Sequence, residues 1–270
     1  MKPVRRSAIL SDGRERPWFE YIPEGREKEK LPLVFCLHGG VGDGYHAFEC
    51  CGLTEAAKKY PMLVVSPYID DIPRSFEFDM GPESEFMKRA KEFFDAVCRT
   101  YQGRYDRIYI AGYSIGEMAA FRFCREYGAL VDAFIGAVGP APRETFMTDG
   151  EICTPDFGLP AFIWRGSADY SYALYQTGRE DDAVQNRVCG EYKEYWMMWN
   201  RVSACRREDT GDFLTEIYTG GKAPLIHVTA AGKRHEDEAD VLGMAWEKLI
   251  LLLSEKTDVK NVIEKDRKVL

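Results

Sequence analysis

The chain has 270 residues, 45% of them hydrophobic, with a formal net charge of -8 and a pI of about 5.2. That hydrophobic content suits a globular protein with a buried core and excludes a wholly disordered chain. The acidic balance argues against nucleic acid, which needs a basic stripe to displace counterions, and against an anionic membrane surface. No apolar run approaches the roughly 20 residues that span a bilayer. The opening MKPVRRSAIL has two arginines but no apolar segment behind them, so it does not read as a signal peptide. The expected location is cytoplasmic, or secreted if a signal has been removed.

Eight cysteines stand at 36, 50, 51, 98, 124, 153, 189 and 205, without a CxxC pair. This spacing disfavours a zinc ribbon. They read as small buried hydrophobes in a reducing compartment, with one disulfide among 50, 51, 153, 189 and 205 as the alternative.

In chain order, 5–10 and 16–22 read as an antiparallel pair joined at Ser11-Asp12-Gly13. The near-continuous apolarity of 31–37, LPLVFCL, predicts a fully buried strand running into His38-Gly39-Gly40. Another buried strand spans 62–67. Pro82 is suited to opening a helix, and Phe86, Ala90, Phe93, Phe94, Val97 and Tyr101 recur at helical spacing. A strand over 107–111 stops at Gly112, and a helix from Ile115 to about Tyr127 follows. Strands at 134–138 and 161–164 come next. Tyr192, Tyr195, Trp196, Trp199 and Val202 mark a helix whose aromatic stripe faces a core. Two strands, 213–218 and 224–229, flank Gly220-Gly221, and a final helix carries Val241, Leu242, Ala245, Trp246, Leu249 and Leu252. The alternation predicts an α/β fold: a mostly parallel central sheet with helices on both faces. Residues 1–270 are expected to form one domain, with its core over about 15–255 and a charged tail at 256–270.

The strongest chemical signal is Gly112-Tyr113-Ser114-Ile115-Gly116. A buried strand before it and an apolar helix after it make the strand–turn–helix that a nucleophile elbow requires. Acyl transfer at Ser114 would need two donors for the oxyanion. The N–H of Ile115 is one, and that of Gly40, with Gly39 next, is the other. A serine also needs a base, and the base an orienting acid. Of the four histidines, His38 and His46 precede the nucleophile. His227 falls inside the strand PLIHVTA, whereas His235 stands in the polar loop AGKRHEDE beyond that strand. His235 is therefore the preferred base. Asp169, just past the strand at 161–164, is the preferred acid, ahead of Asp181, Asp182 and the acids beside His235 (Glu236, Asp237, Glu238).

At these residues the chain resembles the α/β-hydrolase superfamily. More narrowly, it looks like the carbohydrate-esterase and polyhydroxybutyrate-depolymerase-like branch that includes feruloyl and acetylxylan esterases. The resemblance rests on LHGG at 37–40, GYSIG at 112–116, RGSAD at 165–169, and His235 ahead of a helix carrying Ala245-Trp246. It implies a triad of Ser114, Asp169 and His235, an oxyanion hole of Gly40 and Ile115, and no metal or cofactor. Two departures bear on the pocket. Glu117 stands where the branch commonly has a further glycine, and Arg165 where it commonly has histidine.

The resulting expectation is a serine ester hydrolase acting on a small-molecule or oligosaccharide ester, with no nucleic-acid or membrane partner. Gly39, Tyr113, Trp164 and Tyr170 are expected near the substrate, with packing the favoured role for Trp164. The segment 139–159, without a clear strand or helix, is expected to build a short cap or acyl pocket over an open site. A peptidase or amidase on the same residues is one alternative, and a non-catalytic binding protein on a hydrolase scaffold the other.

Overall fold

The computed structural model describes residues 2–40, 44–50, 52–68, 84–148, 150–235 and 241–253. Pro82, the acids at 236–238 and the tail at 256–270 lie outside the described residues.

The chain begins with β1 (Val4–Ile9) and β2 (Glu15–Tyr21), the antiparallel pair expected from its turn residues. Next come β3 (Leu33–Leu37), the short helices α1 (Gly44–Cys50) and α2 (Leu53–Lys59), and β4 (Leu63–Pro67). Helix α3 (Glu85–Thr100) follows, started by Ser84, whose side chain accepts from Met87 N–H at 3.2 Å. Then β5 (Ile108–Tyr113) turns sharply into α4 (Ile115–Tyr127), and β6 (Ala133–Ala137) follows. A two-strand hairpin, β7 (Met147–Thr148) with β8 (Glu151–Ile152), precedes β9 (Ala161–Gly166). Helices α5 (Ser171–Thr177) and α6 (Asp182–Asn200) lead to β10 (Ala204–Asp209), β11 (Phe213–Thr219) and β12 (Leu225–Ala230). The last described helix, α7 (Val241–Ala245), continues into a π-helical turn at Trp246–Ile250.

Ten strands form one sheet in the order β1-β2-β4-β3-β5-β6-β9-β12-β11-β10. The six central strands, β4 to β12, are parallel; β1, β2, β11 and β10 add antiparallel edges. Strands β3, β4 and β6 are buried at every position, as a parallel sheet covered on both faces demands. One core holds the apolar faces of α3, α4 and α6, and the other those of α1, α2 and α7. Among the described residues no helix is long and apolar enough to cross a membrane.

Cys36, Cys98, Cys124, Cys153, Cys189 and Cys205 carry free thiols, and Cys36, Cys124 and Cys189 are buried. The segment at 139–159, expected as a cap, is strapped to the helices beside it. Arg122 and Arg125 donate to the Thr145 carbonyl, Tyr195 to that of Cys153, and Trp199 to that of Phe157. Phe146 anchors it, stacked on Tyr195 with ring centroids 4.4 Å apart.

Candidate active site

The carboxyl ends of the parallel strands converge on one rim, where an open α/β sheet gathers its chemistry. Gly39 and Gly40 follow β3, Ser114 follows β5, Asp169 follows β9 and His235 follows β12.

Ser114 forms the turn between β5 and α4 with φ 55° and ψ -127°, a conformation that non-glycine residues avoid. Its neighbours make that turn sterically necessary. A Cβ at Gly116 would lie 2.3 Å from the Leu37 carbonyl oxygen, and one at Gly139 would lie 1.8 Å from the Ser114 carbonyl oxygen. Only glycine lets these backbones pass. Ser114 N–H donates to the Ala137 carbonyl at 2.8 Å, while its own carbonyl accepts from Glu117 N–H at 2.8 Å.

His235 lies between Ser114 and Asp169. Its Nε2 is 2.9 Å from Ser114 Oγ and its Nδ1 is 3.2 Å from Asp169 Oδ2. Asp169 is 3% exposed, and its other oxygen accepts from Ser171 N–H at 2.9 Å, which fixes the carboxylate in one orientation. The three side chains thus make a continuous path for a proton from hydroxyl to imidazole, with the carboxylate at the far nitrogen.

Ile115 is the first residue of α4, so its N–H belongs to the first-turn donors that have no acceptor within the helix. Gly40 abuts it: a Cβ there would lie 3.4 Å from Ile115 Cγ2. Gly39 packs against Tyr113 and Ser114, with a Cβ position 3.1 Å from the Tyr113 ring and 3.5 Å from Ser114 Cβ. The two glycines therefore lie against the elbow and the head of α4.

Two further features join this site. The Tyr113 hydroxyl donates to the His235 backbone carbonyl, and the two rings lie 5.6 Å apart. Glu117, one turn into α4, is 1% exposed. Its Oε2 accepts from Gly139 N–H at 2.5 Å, and burial pushes its carboxyl up to about 8. It therefore braces the end of β6 against the elbow as a carboxyl that holds its proton near neutral pH.

The solved structures similar to this chain include a poly(3-hydroxybutyrate) depolymerase from Bordetella parapertussis, at 18% identity and TM-score 0.61, covering 90% of this chain and 89% of that one. An acetyl xylan esterase from Aspergillus awamori matches at 15% identity and TM-score 0.59, over 87% of this chain and 95% of that one. A ferulic acid esterase matches at 15% identity and TM-score 0.60, over 92% and 95%. The chain has the α/β-hydrolase fold. No family model matches the chain. Among curated proteins, a phosphoglucosamine mutase from Lysinibacillus sphaericus is 23% identical over 174 residues, and the chain spans 38% of the length of that relative.

Within this hydrolase fold the remaining candidates take different places. Trp164, expected at the substrate, is 0% exposed and belongs to the core that the sheet shares with α1, α2 and α7, so its indole is closed to any ligand at Ser114. Packing, the favoured role, is what the burial shows; the substrate alternative arose because β9 is buried on both faces, so an aromatic near its end cannot be assigned to one face from apolarity alone. Tyr170 turns its hydroxyl onto Asp182 Oδ1 at 2.8 Å, tying the start of α5 to α6. Asp181 is the N-cap of α6, accepting from Ala183 and Val184 N–H. His38 is buried, its Nδ1 2.7 Å from the Gly39 carbonyl and its ring stacked on Tyr68. His227 lies in the middle of β12, buried and paired in register with Ile163. Sequence reasoning missed the Tyr113 contact, because a hydroxyl reaching a carbonyl 122 residues away leaves no local pattern.

Proposed function

We propose that the chain is a serine carboxylic-ester hydrolase that works through an acyl-enzyme on Ser114. The observation that carries this is the unbroken path Ser114–His235–Asp169, at 2.9 and 3.2 Å, on an elbow whose backbone is held strained. Ser114 attacks the ester carbonyl as His235 Nε2 takes its proton, and Asp169 steadies the imidazolium that forms. The N–H groups of Ile115 and Gly40 take the oxyanion, each worth about 3 kcal/mol of barrier. His235 returns the proton to the leaving alcohol, and water then cleaves the acyl-enzyme by the same route. No metal or cofactor takes part in these steps.

For substrate we propose acetyl or feruloyl esters of plant carbohydrate. In support, two of the similar structures are an acetyl xylan esterase and a ferulic acid esterase. The hydrogen bonds that tie Thr145, Cys153 and Phe157 to α4 and α6 are also compatible with a site open enough for an oligosaccharide. Free thiols at the exposed Cys153 and Cys205 support a reducing, cytoplasmic setting.

The test combines a fluorophosphonate label, read by intact mass, with rates on p-nitrophenyl acetate, methyl ferulate, acetylated and feruloylated xylan fragments and a peptide anilide. One adduct that disappears in Ser114→Ala, with turnover of the esters above the anilide, is expected. An adduct that survives Ser114→Ala would refute the nucleophile. Comparable anilide turnover would shift the assignment to an amidase.

A further inference from the structure

Away from the Ser114 hydroxyl, a groove of about 380 Å³ runs between α6 and the strands β9, β12, β11 and β10. That volume is within the range of small-molecule sites. Three cations border it, Arg165, Lys193 and Arg207, against a single carboxylate, Glu216. In a chain with net charge -8, such a local excess of positive charge is not a general property of the surface.

The existing partners do not exhaust these cations. Glu216 is buried and saturated: it accepts from Lys193 Nζ at 2.8 Å, from Arg207 Nε at 3.2 Å and from the Tyr218 hydroxyl at 3.0 Å. Arg165 has no such counterion. Its Nε donates to Thr229 Oγ1 at 3.3 Å, and no carboxylate among the described residues comes within ion-pair distance of it. His227 supplies an independent sign of an unfilled partner. It is 4% exposed and borders the groove, yet its Nδ1 makes no hydrogen bond, with Glu216 Oε2 3.6 Å away. Burial holds its pKa down to about 3, so the ring is neutral and keeps one N–H to donate.

We propose that this groove binds a small oxyanion, a phosphate group or an organic carboxylate, through Arg165 with Lys193 and Arg207. A half-buried guanidinium without a carboxylate has lost solvation that a charge-assisted, bidentate contact to an oxyanion restores. Arg165 is also one of the two positions at which the sequence departs from the family it resembles. The other, Glu117, shares with Arg165, Cys189 and His227 the wall of a small cavity of about 10 Å³ that reaches Gly139 beneath Ser114. That space admits a single water at most. It places the groove in contact with the ground beneath the elbow, and the proposal stands independently of the ester-hydrolysis reading.

The experiment is calorimetric titration of the full chain with inorganic phosphate and, separately, citrate, in chloride buffers of constant ionic strength. Saturable binding of at least one anion is expected, and which arm responds names the source. Arg165→Gln should weaken it about tenfold. Arg207→Gln, at a side chain that is 70% exposed, should weaken it while Lys193 and Tyr218 still hold Glu216, so the test survives if the first variant folds poorly. Ser114→Ala should bind like the parent chain. Absence of saturable binding for both anions, affinity untouched by both arginine variants, or loss of binding in Ser114→Ala would each overturn the proposal.

Discussion

At Ser114 a single backbone conformation carries a cost on the order of 1–3 kcal/mol, and the residues around it are arranged to hold it there. The Ala137 carbonyl takes its N–H, Gly139 passes under its carbonyl, and Glu117 holds Gly139 in turn. Tyr113 does the corresponding work for the base. Its hydroxyl grips the His235 carbonyl, so the imidazole is set by the same turn that sets the nucleophile. Tyr113→Phe keeps the ring and removes that grip. It should lower kcat about tenfold with KM little changed, because the loss falls on orientation and not on substrate contact. Steady-state rates on p-nitrophenyl acetate check this. A rise in KM at constant kcat would instead make Tyr113 a substrate contact. The residues that carry chemistry were legible in the sequence because each follows a buried strand and stands among small or polar neighbours. What Tyr113 and Trp164 do was not legible, since it depends on which face of the sheet, or which distant carbonyl, the side chain meets.

Helix α6 shows the same division one level up. Its aromatic spacing announced a helix and a buried stripe, and both are present. Trp196 stacks on Trp199 at 4.6 Å and on Phe134 of β6 at 4.8 Å, and Phe121 of α4 meets it edge-on at 5.7 Å. One side chain thus joins α6 to α4 and to the strand beside the elbow. Trp196→Ala would leave a cavity that this rigid stack cannot collapse into, at a cost of about 4 kcal/mol. Urea unfolding measures that loss directly; a loss under 1 kcal/mol would mean that the stack relaxes. The elements the sequence concealed are those without such a stripe. Strand β10, ACRRED, is an exposed polar edge with no apolar alternation, and its charges blunt edge pairing. Helices α1, α2 and α5 have seven residues each, two turns at most, too short for helical periodicity to emerge.

For the whole molecule, two buried groups make stability depend on pH in opposite senses. Glu117 has its pKa raised by burial from 4.5 to about 8, so the folded state holds a proton that the unfolded chain releases. Its contribution is fully present below pH 4.5 and is lost as pH rises toward 8. His227 has its pKa lowered by burial from 6.5 to about 3, so the unfolded chain takes up a proton that the folded state refuses. Its contribution is present above pH 6.5 and is lost as pH falls toward 3. Between 4.5 and 6.5 the two slopes oppose each other, and above 6.5 only that of Glu117 remains, at no more than about 1.4 kcal/mol per pH unit. Over the 1.5 units to pH 8 the parent chain should therefore lose about 2 kcal/mol on account of Glu117. Glu117→Gln keeps an acceptor for Gly139 N–H but cannot ionise, so that loss should vanish from its profile. Urea midpoints of both proteins at pH 6.5 and 8.5 give the difference free of groups that titrate alike in each. If the two lose stability equally over that interval, Glu117 is already ionised in the folded protein. The brace beneath Ser114 would then be a carboxylate, and the elbow would rest on a buried charge instead of a neutral acid.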